Sequence, residues 1–383
     1  MKHSIIALAL TLALVPGCML QHDELPEDIS DDVELGSVTQ ASLGPACPPV
    51  ELEACAPWLC GMNSSRLTTE PFGGLALDGG FNANGWAVDG VILNNATGGG
   101  TLAELDVAGG GLIARVGAQV YAGADLVGAS ILVTQRREIP GSGCREFDYE
   151  IDITEYMLAD DFEPWHAQGT VHAYRFSGRS ASESWGTGGD ICSNAFDILP
   201  EDRAGTMLWD DVADMTLIYH GDVIQSQTAS LESAAGIETL NFACPGHALA
   251  KATWMGVNPQ NTGDYATSRD ERQSTLKMIV ADYCGIGESF TETGTAVEWE
   301  MNYGWINTLP APPTETEGEP TVSMTREAIW GPDGALCLDT PRWAGSREIV
   351  LQACGLTSAE LPTCDGFRDD SRSGHWTTWV PES

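Results

Sequence analysis

Residues 145–156 read REFDYEIDITEY, with Glu146, Asp148, Glu150 and Asp152 alternating with Phe147, Tyr149, Ile151 and Ile153. Period-two alternation puts successive side chains on opposite faces of an extended chain. The stretch is therefore predicted to be a strand with its aromatic and aliphatic face in a core and its carboxylates toward water. A sheet with one buried and one solvated face is antiparallel in the ordinary case.

Working outward, GLIARVGAQVYAG (111–123), ASILVTQRREI (129–139), TVHAYRFSG (170–178) and ADMTLIYHGDVI (213–224) read as further strands. A β-rich body is expected from about residue 70 to 225. Between residues 74 and 95, Asp78-Gly79, Asn84-Gly85, Asp89-Gly90 and Asn94-Asn95 recur every five or six residues. Such pairs favour tight turns with positive φ. They read either as a short fragment of a pentapeptide-like coil or as successive short hairpins.

Past residue 225 the texture changes. Residues 243–254 hold helix formers and small residues, and SRDERQSTLKMIVADYC (268–284) opens on Ser268 with Glu271 three positions on. That is the spacing of a capping box. Gly285 and Gly287 place the end of this helix near Cys284. TAVEWEMNYGW (295–305) is a strand, TLPAPPTETEGEPT (308–321) a linker, and EAIWGPDGALCLDT (327–340) a hairpin around Pro332-Asp333-Gly334. The tail beyond residue 345 has no assignment from its pattern.

The chain opens with Lys2, an apolar run from Ile5 to Val15 broken only by Thr11, and Val15-Pro16-Gly17-Cys18. The run is too short for a membrane span, which needs about 20 residues. It reads as an export signal, and its last four residues resemble a lipobox, with Cys18 the acylated residue. Residues 21–40 carry seven carboxylates without Lys or Arg, the composition of an extended, disordered linker. With 18 Lys and Arg against 55 Asp and Glu the net charge is −37, which excludes a phosphate-backbone partner such as nucleic acid.

Setting Cys18 aside leaves Cys47, Cys55, Cys60, Cys144, Cys192, Cys244, Cys284, Cys337, Cys354 and Cys364. An even number in an exported chain reads as a disulfide set. Cys47 to Cys60 would staple the start of the fold. Cys244 and Cys284 each flank a helical stretch of one module, which gives Cys244–Cys284 as an expected pair.

The most motif-like residues are Ala281, Asp282, Tyr283 and Cys284, before two glycines. A nucleophilic cysteine needs a neighbouring base and a protected thiol, whereas this one belongs to the disulfide set. The motif is therefore read as a stapled turn, with Asp282 accepting loop amides. No catalytic residue, metal or cofactor is assigned. The alternating carboxylates could serve a glycosidase, but a solvated strand face produces the same pattern. A calcium loop is missing. Cys244-Pro245-Gly246-His247 is a lone C-x-x-H, and His166 and His172 read as surface or half-buried histidines. No G-x-S-x-G, P-loop or G-x-G-x-x-G occurs.

MIVADYCGIGESFTETGT (278–295), with ACPGHALAKATWMG (243–256) upstream and EAIWGPDGALCL (327–338) downstream, resembles the ADYC domain over roughly residues 190–345. The resemblance implies an exported bacterial protein, and it carries no assigned activity. Two departures stand out. Cysteines usual in the family are replaced at Ala252 and near Ser274 or Thr275, as if one disulfide had been lost as a unit. A histidine usual near Phe290 is also missing.

The expected architecture is α+β and β-rich, an antiparallel β region followed by a small disulfide-bonded α+β module. The segments are 1–17 (lipoprotein signal), 18–45 (acidic linker), 46–189 (Cys-stapled start and β-rich region), 190–345 (ADYC-like module) and 346–383 (tail). The functional expectation is a non-catalytic, lipid-anchored cell-envelope protein on the outer membrane, or else periplasmic or secreted. Its expected partners are the membrane, through the anchor, and an unknown envelope or extracellular partner. The alternative is an envelope hydrolase or glycan-binding protein using surface carboxylates, with Glu150 and Asp282 the candidates, and some of its 12 tryptophans.

Overall fold

The computed structural model describes residues 72–93, 100–139, 143–159, 171–180, 190–192, 215–225, 228–232, 238–261, 266–292, 297–301, 323–343, 345–365 and 376–382, with Ser64, Leu67, Thr68 and Thr295. The fold is β-rich α+β with antiparallel sheets. Its strands begin with β1 (Leu75–Ala76), β2 (Trp86–Leu93), β3 (Thr101–Ala108), β4 (Gly111–Val116), β5 (Gln119–Ala122), β6 (Ser130–Ile139), β7 (Gly143–Ala159) and β8 (Val171–Ser180). They continue with β9 (Thr216–His220), β10 (Val223–Gln225), β11 (Ser230–Glu232) and β12 (Thr239–Ala243).

The alternating stretch lies in β7, which pairs with β6 on one side and β8 on the other. Ile151 and Ile153 are buried, and Glu146 and Asp148 are exposed. The carboxylates find partners on β6: Arg136 Nη2 lies 2.6 Å from Glu146, Thr134 Oγ1 donates to Asp148 at 3.1 Å, and Ser130 Oγ donates to Asp152 at 2.5 Å. The alternation thus reflects a core on one face and a paired polar ladder on the other.

Ten strands form one sheet in the order β1-β12-β9-β8-β7-β6-β2-β3-β4-β5. The sheet folds back on itself, because the backbone N–H of Leu112 on β4 donates to Tyr174 Oη on β8 at 2.9 Å. Leu75, Val91, Leu112, Leu126, Ile131 and Phe176 fill the interior of that fold. β9 and β12 belong to the same sheet, so it takes strands from both sides of residue 190.

The recurrent Asp-Gly and Asn-Gly pairs form neither a stacked coil nor a run of hairpins among the described residues. Asn82 Oδ1 accepts the amides of Asn84 and Trp86 and turns the chain into β2. Asp89-Gly90 then lies inside β2, at a register shift against β6 where Gly90 has φ +138°. Trp86, Val88, Val91 and Leu93 are buried together, which a single inner strand accomplishes and a series of tight turns does not.

β9 is covered on both faces. Ile218 points into the sheet interior, while Leu217 and Tyr219 meet the second core. That core holds α1 (Ala248–Trp254), α2 (Arg269–Ile279) and a four-stranded sheet ordered β13-β16-β14-β15. These elements are β13 (Glu298–Met301), β14 (Met324–Gly331), β15 (Gly334–Leu338) and β16 (Trp376–Pro381); α3 (Arg347–Cys354) follows β15 in the chain. The predicted capping box is present: Glu271 N donates to Ser268 Oγ at 3.2 Å and Ser268 N to Glu271 Oε2 at 2.5 Å.

The tail, unassigned from its pattern, supplies α3 and β16, and β16 bridges β13 to β14. Two indole donors seal it: Trp330 Nε1 to Thr378 Oγ1 at 2.8 Å and Trp376 Nε1 to Thr275 Oγ1 at 3.0 Å. Among the described residues no helix is long and apolar enough to cross a membrane.

Candidate functional site

α2 ends at Ile279, five residues before Cys284, because the chain reverses at Ala281, a non-glycine residue with φ +53°. That reversal drops Asp282 into the protein, where it is fully buried. Its Oδ1 accepts the Ile286 amide at 3.1 Å and its Oδ2 the Gly287 amide at 2.7 Å. Lys277 Nζ, on the last turn of α2, lies 2.5 Å from Oδ2. The same ammonium donates to the carbonyls of Thr228 at 2.6 Å and Gly285 at 3.1 Å. Lys277 thus places all three of its protons. Burial pushes the Asp282 carboxyl above its ordinary range, against the pull of Lys277 and the two amides.

Tyr283 points the other way, into a second buried charge cluster. Its hydroxyl donates to Glu327 Oε1 at 2.5 Å and accepts the Arg342 amide at 3.0 Å. Arg342 grips Glu327 with both arms, Nε to Oε1 at 2.7 Å and Nη2 to Oε2 at 2.8 Å, and both side chains are sealed from solvent. A planar fork on a carboxylate is the geometry in which a buried ion pair best offsets its desolvation. Burial, then the Glu327 carboxylate, holds the Tyr283 phenol well above its usual range. The ring stacks on Trp330 at 5.1 Å and packs against Phe290 at 5.6 Å. Phe290, near which the resemblance places a histidine, completes this aromatic cluster with its apolar ring.

The hairpin between β14 and β15 closes over the turn. Ala335 N donates to the Tyr283 carbonyl at 3.1 Å. A Cβ on Gly334 would sit 2.8 Å from that carbonyl and 3.0 Å from that of Asp282, and a Cβ on Gly285 would strike the Asp333 carbonyl. The two predicted motifs are therefore one contact, backbone against backbone.

The disulfides correct one expectation. Cys284 pairs with Cys354 and Cys244 with Cys192, so Cys244–Cys284 does not form; a third bridge joins Cys337 to Cys364. Flanking helices of one module was the wrong criterion. Cys244 follows β12 in the large sheet and reaches residue 192 beside it, while the turn at Ala281 aims Cys284 at α3. Cys144 is exposed on β7. Cys18, Cys47, Cys55, Cys60 and His166 lie outside the described residues.

His172 is half-buried, with Nδ1 2.9 Å from Tyr156 Oη, and burial lowers its pKa. Ala252 on α1 and Ser274 and Thr275 on α2 are buried. Trp86, Trp254, Trp330 and Trp376 are buried and Trp299, Trp343 and Trp379 half-buried. Among the described residues no group of three or more His, Cys, Asp or Glu could hold a metal ion.

Sequence reasoning found the tetrapeptide but missed Lys277, Glu327 and Arg342. A signal existed: Lys277 interrupts the apolar end of α2 five residues before Asp282, in a chain with few cations to place.

The geometry defines a disulfide-bonded, β-rich α+β protein whose signature turn is held by buried ion pairs and closed by a hairpin. The ADYC domain model matches residues 123–344, more than half of the chain, and the protein belongs to the ADYC domain family. The match begins at residue 123, well before the expected residue 190, consistent with a sheet that is continuous across that point. Comparison with the curated proteins and with the solved structures returned no match.

Proposed function

We propose that this protein is a non-catalytic, lipid-anchored component of the bacterial cell envelope that acts structurally or by mediating interactions. The observation that carries the reading is the complete internal use of Asp282: its carboxylate is sealed from solvent and engaged by two amides and an ammonium. A general base or nucleophile must reach a substrate proton or carbon, and this carboxylate faces only its own chain. Cys284 is equally committed, its sulfur bonded to Cys354. The β7 carboxylates Glu146, Asp148 and Asp152 have partners on β6.

The anchor is Cys18, and residues 18–45 hold the folded body away from the bilayer. Acyl chains insert at about 0.8 kcal/mol per buried CH₂, so a multiply acylated terminus is a stable attachment. Met19 and Leu20, with no Asp at the position after the cysteine, favour outer-membrane sorting by resemblance to lipoproteins. The three disulfides among the described residues support an oxidising compartment.

The test is metabolic labelling with an alkyne fatty acid in a bacterial host, comparing the chain with its Cys18→Ala variant. Label and membrane fractionation on the parent alone sustain the reading; an unlabelled parent in the soluble fraction overturns the anchor. Turnover of an envelope polysaccharide by the purified protein, abolished by Glu150→Gln, would overturn the non-catalytic assignment.

A further inference from the structure

The three disulfides among the described residues differ in one respect. Cys192, Cys244, Cys337 and Cys364 are buried, none more than 4% exposed, whereas Cys284 and Cys354 are both half-buried. Thiol–disulfide exchange requires in-line approach of a thiolate to sulfur, so exposure selects which bridge reacts in the folded protein.

The segments that Cys284–Cys354 joins are held apart from it in unequal ways. The turn at Cys284 is fixed by Asp282, Lys277 and the Gly334 hairpin, none of which involves sulfur. α3, by contrast, buries only Val350 and Leu351, and Ile349, Gln352 and Ala353 face solvent. Among the described residues its remaining hydrogen-bond ties lie at its first residue, where Arg347 donates to the carbonyls of Leu338 and Leu361. The buried bridge Cys337–Cys364 closes the loop carrying α3 at its base, so that loop stays attached whatever happens at Cys354. Next to Cys284, Ile286 is 55% exposed, an apolar surface beside the reactive bond.

We propose that Cys284–Cys354 is an exchangeable bridge, opened by a dithiol reductant in the folded protein to release α3 from the ADYC turn while Cys192–Cys244 and Cys337–Cys364 persist. A reductant thiolate attacks the sulfur of Cys284 or Cys354. The S–S bond breaks as a mixed disulfide forms, and the displaced cysteine leaves as a thiolate and takes a proton. The second thiol of the reductant then displaces the other cysteine. The protein gains two electrons and two protons as thiols, and the reductant departs as a disulfide.

The experiment treats the full oxidised chain with graded dithiothreitol at neutral pH without denaturant, alkylates, and maps the peptides while following near-ultraviolet circular dichroism. Cys284 and Cys354 are expected to be alkylated roughly tenfold or more ahead of Cys192, Cys244, Cys337 and Cys364, with the aromatic spectrum retained. Earlier opening of a buried bridge, joint opening of all three, or no opening before the spectrum collapses overturns the proposal. A parallel comparison of glutathione and thioredoxin at equal thiol concentration identifies the source. Faster cleavage by thioredoxin sustains opening by a dithiol, and cleavage by glutathione at an equal or greater rate overturns that assignment in favour of small monothiols.

Discussion

Lys277 Nζ and Asp282 Oδ2 stand 2.5 Å apart with both side chains closed to solvent, the lysine on the last turn of a helix and the aspartate just past the reversal that ends it. Because among the described residues each is the other's charge-neutralising contact, removing one strands the other. Breaking a buried pair in this way costs about 3–5 kcal/mol, mostly as an uncompensated charge. Asp282→Asn and Lys277→Met are each expected to lose stability in that range by urea unfolding, and the double variant less than the sum of the two. Strict additivity would show that the pair does not act as a unit.

The contact between the turn and the hairpin makes a second prediction. Gly334 has φ +116° and Gly285 φ +74°, and an added Cβ on either meets backbone rather than a movable side chain. Strain at such φ and overpacking each amount to roughly 1–3 kcal/mol. Gly334→Ala and Gly285→Ala should each therefore lower stability by at least about 2 kcal/mol. Thermal melts showing either variant unchanged would refute the backbone-on-backbone docking.

How far the sequence reached is clearest at these residues. The alternation at 145–156 and the Ser268–Glu271 capping box were legible because both are local, set by side-chain period and by three-residue spacing. The reading of Asp282 as an acceptor of loop amides held for the same reason, since its amide partners are four and five residues away. The Cys284 partner was not legible. Cys354 lies 70 residues on, in a tail whose only cues were two tryptophans and two cysteines, and its approach depends on the reversal at Ala281. Nor were Glu327 and Arg342, because charged residues default to the surface unless paired, and their pairing spans 15 residues across a hairpin and its exit. The strand β16 was missed because its partners, β13 and β14, come from either side of a long proline-rich segment.

Tyr283 is expected to contribute through its hydroxyl as much as its ring. Tyr283→Phe keeps the stacking on Trp330 but deletes the bond to Glu327 and leaves the Arg342 amide with a weaker, 3.3 Å contact to Glu327. Hydrogen bonds to charged groups are worth about 1.5–3 kcal/mol, so a loss in that range is expected on chemical denaturation. An unchanged midpoint would show that Arg342 alone satisfies Glu327.

Lys251, on α1, gives a pH-dependent prediction whose sign follows from burial. It is 4% exposed, and burial, reinforced by the Arg342 guanidinium, lowers its pKa from 10.5 to about 7. Between those values the unfolded chain binds a proton that the folded chain lacks, so this residue makes the protein more stable as pH rises from about 7 toward 10.5. Below about 7 both states are protonated and the cost of burying the charge is constant. The limiting slope for one such group is about 1.4 kcal/mol per pH unit. Lys251→Met removes this titration, so the stability of the variant relative to the parent should be highest at pH 6–7 and should fall steadily by pH 9. Urea titrations of both proteins across that range decide the matter, because other titrating groups are common to the two and cancel in the difference. A gap that stays constant with pH would place the Lys251 ammonium in contact with water or a carboxylate in the folded state, at its ordinary pKa.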